Sequence, residues 1–390
     1  MPEAYIVAAA RTAGGRKGGR LAGWHPADLA GKVLDALVER ADADPALVED
    51  VIMGCVGQAG EQAANIARNA VLASSLPESV PGVSVDRQCG SSQQALHFAA
   101  QAVMSGTMDV VIAAGVESMT RVPMGLPTTL PLEKGLGVYM SPAMMRRYPN
   151  VMFSQFAGAE LLAEKHQIGK DEMDAFALDS HRKAAAAAGA GAFDDEILPI
   201  EVTTAEGATE QHTADEGVRF DAELEKIASV KTIAEGGRIS AATASQICDG
   251  ASGVLVVSEA GLKALGVEPL ARVHHMSVVG HDPVIMLEAP IPATEKALAK
   301  SGMRLDDIDL YEINEAFASV PLAWLKATGA DPARLNVNGG AIALGHPLGA
   351  SGTKLTTTLV HALRARGKRY GLQSMCEGGG LANVTIVEAL

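Results

Sequence analysis

The chain repeats itself, and no other feature limits its fold so strongly. Glu49-Asp50-Val51-Ile52-Met53, Gly82-Val83-Ser84-Val85, Cys89-Gly90-Ser91-Ser92 and Asp109 to Gly115 recur in the same order. Their counterparts are Asp306-Asp307-Ile308-Asp309-Leu310, Leu335-Asn336-Val337-Asn338, Ala350-Ser351-Gly352-Thr353 and Tyr370 to Ser374. The offset is 257 positions at Glu49/Asp306 and 261 at Cys89/Ala350 and Asp109/Tyr370, so one small insertion reconciles the copies. Each copy alternates short apolar runs with helical periodicity, which predicts an α/β protein of two like halves.

At 390 residues the chain is long enough for both halves and an insertion. Residues 119 to 247 interrupt the first half, because Gly253-Val254-Leu255-Val256-Val257 resumes strand character beyond them. The expected organisation is therefore 1–118 with 248–268 as one half, 119–247 as an inserted loop domain, and 269–390 as the second half. From Met119 to Asn150, five prolines and no sustained period predict irregular structure. Six of the 15 methionines (Met119, Met124, Met140, Met144, Met145, Met152) fall within residues 119–152, a composition suited to an adaptable apolar wall.

Lys and Arg number 32 against 46 Asp and Glu, a net charge of -14 that disfavours nucleic acid or anionic membrane as partner. No apolar run reaches the roughly 18–20 residues of a spanning helix. The four cysteines Cys55, Cys89, Cys248 and Cys376 form no CxxC pair, so neither a disulfide framework nor a zinc site is expected, and a reducing, cytoplasmic setting fits.

Cys89 stands between a strand ending at Val85 and a helix marked by Leu96, Ala99, Ala100 and Val103. A helix N-terminus there lowers a thiol's pKa and supplies N–H groups to an oxyanion. Ser91 and Gln94 read as a capping box. In the second half Asn338 to Gly349 places His346 in a glycine-rich loop before a helix, suited to base, acid or oxyanion donor. His97, inside the Cys89 helix, reads as a core histidine. Cys376, followed by Gly378-Gly379-Gly380, ends the last repeated strand, and Asn314-Glu315 follows another. Phosphate-cradle, dinucleotide and GxSxG signatures are missing.

These blocks, with Gly115-Val116-Glu117-Ser118-Met119, Pro290 to Thr294 and Asn314-Glu315-Ala316-Phe317-Ala318, resemble the thiolase family over essentially the whole chain. The resemblance implies a duplicated βαβαβαββ fold layered α-β-α-β-α. It implies 3-ketoacyl-CoA thiolase activity through a Cys89 acyl-enzyme, with His346 as base and oxyanion donor and Asn314 holding a water. Cys376 would be the acid/base, and the N–H groups of Cys89 and Gly378 a second oxyanion hole. Ser245 and Arg219 would contact CoA, a substrate; no permanent cofactor or metal is implied. Acyl-CoA thioesters are the expected partners, and a homodimer or homotetramer the expected assembly. Glu377 stands where the family usually has an apolar residue, and Phe153 to Phe156 lacks the His-Met pair of short-chain biosynthetic members. Acetoacetyl-CoA synthesis is the enzymatic alternative, and a non-catalytic acyl-CoA carrier the alternative of another class.

Overall fold

Val110–Ser118 is buried at all nine positions, and Cys248–Val257 at all ten. Runs of Val, Ile and Ala without polar alternation are what strands covered on both faces require. The computed structural model of the chain describes residues 2–204 and 207–390. Its nine principal strands are β1 (Tyr5–Thr12), β2 (Asp50–Gly54), β3 (Gly82–Val85), β4 (Val110–Ser118), β5 (Cys248–Val257), β6 (Ala271–Gly280), β7 (Leu310–Ile313), β8 (Tyr370–Glu377) and β9 (Leu381–Ala389).

They lie side by side in the order β7-β8-β9-β6-β1-β5-β4-β2-β3. The duplication is visible in that order. In the first half β3, β2 and β4 are parallel and β5 returns antiparallel; in the second, β7 and β8 are parallel and β9 returns antiparallel. Leu335, bridged to Tyr311, stands where β3 stands in the first half. The two half-sheets join through two residue pairs of β1 and β6, Tyr5 with Arg272 and Ile6 with Ala271.

Between the half-sheets lie two repeat-related helices, α1 (Ser91–Met104) and α2 (Ser351–Ala365), buried on nearly every side. Leu96, Leu359 and Leu363, each at most 1% exposed, meet Ile6, Val111 and Val254 in this central layer. Each such leucine contributes about 1.5–3 kcal/mol by leaving water. The helices approach closely because Gly352 has no side chain: a Cβ there would stand 2.0 Å from Gln93 N. Outer helices, Pro26–Arg40 on one side and Pro290–Ser301 on the other, complete the α-β-α-β-α layering.

β4 and β5 are neighbours, with Ser118 opposite Asp249, so residues 119–247 leave and rejoin adjacent positions of the sheet. β5 begins at Cys248, five residues before the apolar run that marks it in the sequence. The segment expected to be irregular contains two short helices, Leu126–Glu133 and Pro142–Arg147. Prolines obscure them in the sequence, but Pro127 and Pro142 occupy first-turn positions, where no N–H is needed. No helix among the described residues is long and apolar enough to cross a membrane.

Candidate active site

The loop from β3 to α1 presents Cys89. Asp86 Oδ1 accepts from Gln88 N at 2.7 Å, and Gln88 takes a positive φ of 50°, turning the chain sharply before the cysteine. Ser91 holds this turn and does not cap the helix as a capping box would: its Oγ accepts from Arg87 N at 2.9 Å and donates to Gln88 O at 2.6 Å. Gly90 is the N-cap residue. Burial, with Glu377 adding to it, pushes the Cys89 thiol up to about 12, while its own backbone N–H and that of Gly378 work the other way. Cys89 is thus a resting thiol facing two N–H donors, and it needs a base.

His346 sits in the loop after Ala341–Leu344, 3% exposed. Its Nδ1 pairs with Ser351 Oγ, and Ser351 donates its one proton to Pro347 O at 2.8 Å. Nδ1 is therefore the protonated nitrogen, and Nε2 carries a lone pair toward Asn314 Nδ2, 3.3 Å away. Burial, then the nearby Lys354 ammonium, lowers His346 to about 3, so the imidazole is neutral and able to take a proton. Asn314 Oδ1 is buried without a hydrogen-bond partner, which suits an acceptor for a water or substrate group.

Cys376 is the last residue but one of β8, 1% exposed. Burial, the Cys89 charge and Glu377 all raise its pKa well above the ordinary thiol value. Beyond it Gly379 and Gly380 take φ of 84° and 77°; a Cβ at Gly380 would stand 2.7 Å from Asp282 O, so this turn requires glycine. The His346 loop meets β2 and β4 at Gly349, whose carbonyl would lie 2.6 Å from a Cβ at Gly54 and 2.3 Å from one at Gly115, and the same Gly54 Cβ would stand 2.3 Å from Ser92 N on the Cys89 helix. Cys89, Met375 and Leu355 pack together under Leu348. Cys89, Cys376, Gly378, His346 and Asn314 are in this way gathered from both halves.

Arg219 lines a cavity of about 150 Å³ with His181, Lys226, Gln246 and Ile342. Gln246 links this cavity to the site, since its carbonyl accepts from His346 N at 3.1 Å. Ser245 lies between two residues of the lining, its N–H bonded to Ala316 O at 2.9 Å, and is not itself in the wall. His97 is a satisfied core histidine: Nε2 meets Thr385 Oγ1 at 2.8 Å, and burial lowers it to about 3.

Residues 4–260 match the thiolase N-terminal domain and residues 267–389 the thiolase C-terminal domain. The chain belongs to the thiolase family. It is an acyltransferase of that family. Among its relatives, the steroid 3-ketoacyl-CoA thiolase FadA6 of Mycobacterium tuberculosis is 53% identical, over 100% of this chain and 95% of that protein. A 3-ketoacyl-CoA thiolase of Psychrobacter cryohalolentis is 41% identical over 99% of this chain and 98% of its own. The crystal structure of the Bacillus anthracis acetyl-CoA acetyltransferase superposes with a TM-score of 0.91 at 37% identity, covering 100% of this chain and 99% of that one.

Two residues of this thiolase site escape a reading of the sequence. Ser351 fixes the His346 tautomer, and its signal is only a hydroxyl five positions past a histidine. Lys354, buried in α2, donates to Leu344 O at 2.6 Å and Gly345 O at 3.3 Å, holding the backbone just before His346. An amphipathic-helix reading places such a lysine in solvent.

Proposed function

We propose that this thiolase cleaves 3-ketoacyl-CoA with CoA by a ping-pong route. His346 Nε2 takes the Cys89 proton, and the thiolate attacks the 3-keto carbon. The C2–C3 bond then breaks, leaving the acyl group on Cys89 and the acetyl-CoA enolate, which takes the Cys376 proton. The Cys376 thiolate next deprotonates incoming CoA, whose sulfur attacks the acyl-enzyme. Cys89 departs as thiolate and recovers its proton from His346. A thiol base nearly matches the CoA thiol in pKa, so that transfer is close to balanced.

The observation that carries this reading is the convergence of two backbone N–H groups, those of Cys89 and Gly378, on the Cys89 sulfur beside a second thiol. The same donors suit the oxyanion of the tetrahedral intermediate. Mass spectrometry tests it: 3-ketoacyl-CoA should acylate Cys89 and Cys89→Ser should abolish the adduct. Cys376→Ser should still label with acetyl-CoA while losing thiolysis, because attack on a simple thioester needs no carbon acid. An adduct on another cysteine would overturn the assignment.

Arg219 and Lys226, which line the cavity beside Gln246, are the cations we assign to the CoA phosphates. For the acyl group we favour long or bulky chains, the steroid-named relative and the missing His-Met pair pointing the same way. Each further buried CH₂ adds up to ~0.8 kcal/mol of transition-state binding, so thiolysis efficiency should rise over several carbons beyond acetoacetyl-CoA. A profile flat or falling from four carbons upward would favour the short-chain reading that the acetyltransferase neighbour suggests. Four free, buried thiols fit a reducing compartment such as the cytoplasm. The assembly we expect is a homodimer or homotetramer, which light scattering would check.

A further inference from the structure

The reaction above gives Glu377 no part, yet its carboxyl lies against Gly90, the residue next to the nucleophile. The residue is 0% exposed, and neither carboxyl oxygen has a hydrogen-bond partner. A Cβ at Gly90, the residue after Cys89, would stand 2.0 Å from Glu377 Oε1. Its chain neighbours are Cys376 and Gly378, whose N–H faces Cys89. An unpaired carboxyl here has a burial cost that an apolar side chain of similar size would not have.

The groups facing it are few. Arg87, from the loop before Cys89, favours its ionisation, and the Asn383 N–H on β9 approaches without closing a hydrogen bond. Cys89 and Cys376 are the two acids whose anions it opposes, and Glu117 at the end of β4 opposes the Cys89 anion in the same sense. Burial outweighs Arg87 and Asn383 and pushes Glu377 up to about 8, so near neutrality it is largely the uncharged acid.

We propose that Glu377 is a positioning residue for the nucleophile: its neutral carboxyl permits the Cys89 thiolate, and its ionised form withholds it. Cys89, Cys376 and Glu377 then carry one negative charge among them at a time, which is what each half-reaction needs. This inference rests on the role proposed for Cys89.

The test is the rate of Cys89 alkylation by iodoacetamide, followed by mass spectrometry from about pH 6 to about pH 10, in wild type and Glu377→Gln. The two rates should coincide at the acid end. Above about pH 8 the glutamine variant should react roughly tenfold faster, since a neighbouring charge that shifts a thiol by one unit changes its thiolate fraction tenfold. Superimposed profiles, or one constant offset at every pH, would overturn the proposal and leave Glu377 a filler. Infrared difference spectra of the wild type test it without a variant. A protonated-carboxyl C=O band should be present at neutral pH, fade as pH rises and shift when Cys89 is alkylated. A spectrum with no such band would overturn it equally. Acylation of another cysteine by 3-ketoacyl-CoA would instead defeat the functional reading, whereas coincident profiles with normal Cys89 acylation defeat only this inference.

Discussion

His346 gives its Nδ1 proton to Ser351 Oγ, and Ser351 passes its own to the carbonyl of Pro347, 2.8 Å away. The chain of donors runs in one direction, and it leaves the Nε2 lone pair for the reaction.

Ser351→Ala should therefore lower kcat while leaving KM nearly unchanged. The substitution strands a buried N–H at a cost of about 1–3 kcal/mol and frees the ring to turn or change tautomer. If that cost falls on the transition state, kcat drops roughly 10- to 100-fold. Steady-state kinetics on the purified variant would show it, and a change confined to KM would contradict it.

Lys354→Met should act on both stability and pH dependence. Losing the ammonium leaves the Leu344 and Gly345 carbonyls without this donor and removes one of the cations near Asp215, costing about 1–3 kcal/mol in denaturant unfolding. It also removes a cation that disfavours the imidazolium of His346. The His346 pKa should rise, so the acid limb of kcat/KM should move to higher pH. An unmoved limb would show that the lysine serves packing alone.

Gly90→Ala places a methyl 2.0 Å from Glu377 Oε1, and the loop carrying Cys89 must shift to admit it. Thiolysis should fall at least tenfold, since small displacements of a reacting group cost heavily. Combining Gly90→Ala with Glu377→Ala should recover part of the Cys89 acylation rate. Strictly additive losses in the double variant would mean that the two side chains do not compete for this space.

Glu288 is predicted to make the fold acid-sensitive. Burial works against its charge, but hydrogen bonds from Lys165, His281 and His166 outweigh it and hold the carboxyl down at about 2. The unfolded value is about 4.3, so the folded value is the lower one. Its contribution to stability is fully present above pH ~4.3 and is lost as pH falls through about 2. With Lys165 more than half exposed, solvent screening keeps that contribution near ~1 kcal/mol. Glu288→Gln should destabilise at neutral pH and make no difference below about 2, as urea titrations at several pH values would measure.

The duplication, the strand-helix alternation and the three residues Cys89, His346 and Cys376 are legible in the sequence, because each is announced by its own neighbours. A thiol between a strand and a helix, a histidine among glycines and a cysteine before three glycines are local patterns, and local patterns survive reading in one dimension. The short helices at Leu126–Glu133 and Pro142–Arg147 are hidden for the same reason, since proline at a first turn has the same letter as proline that breaks a helix. What only the tertiary structure decided is which groups face one another. The Gly378 N–H that meets Cys89 is reached from the sequence only through the family resemblance, because a backbone N–H carries no letter of its own. Lys354 is buried because Leu344, Gly345 and Asp215 come from two other segments to receive it. Glu377 opposes Cys89 across 288 positions of the chain, since the two half-sheets bring the ends of β3 and β8 to one place. Electrostatics and hydrogen bonding act through space, and distance in space is set by packing of the central helices, not by position along the chain.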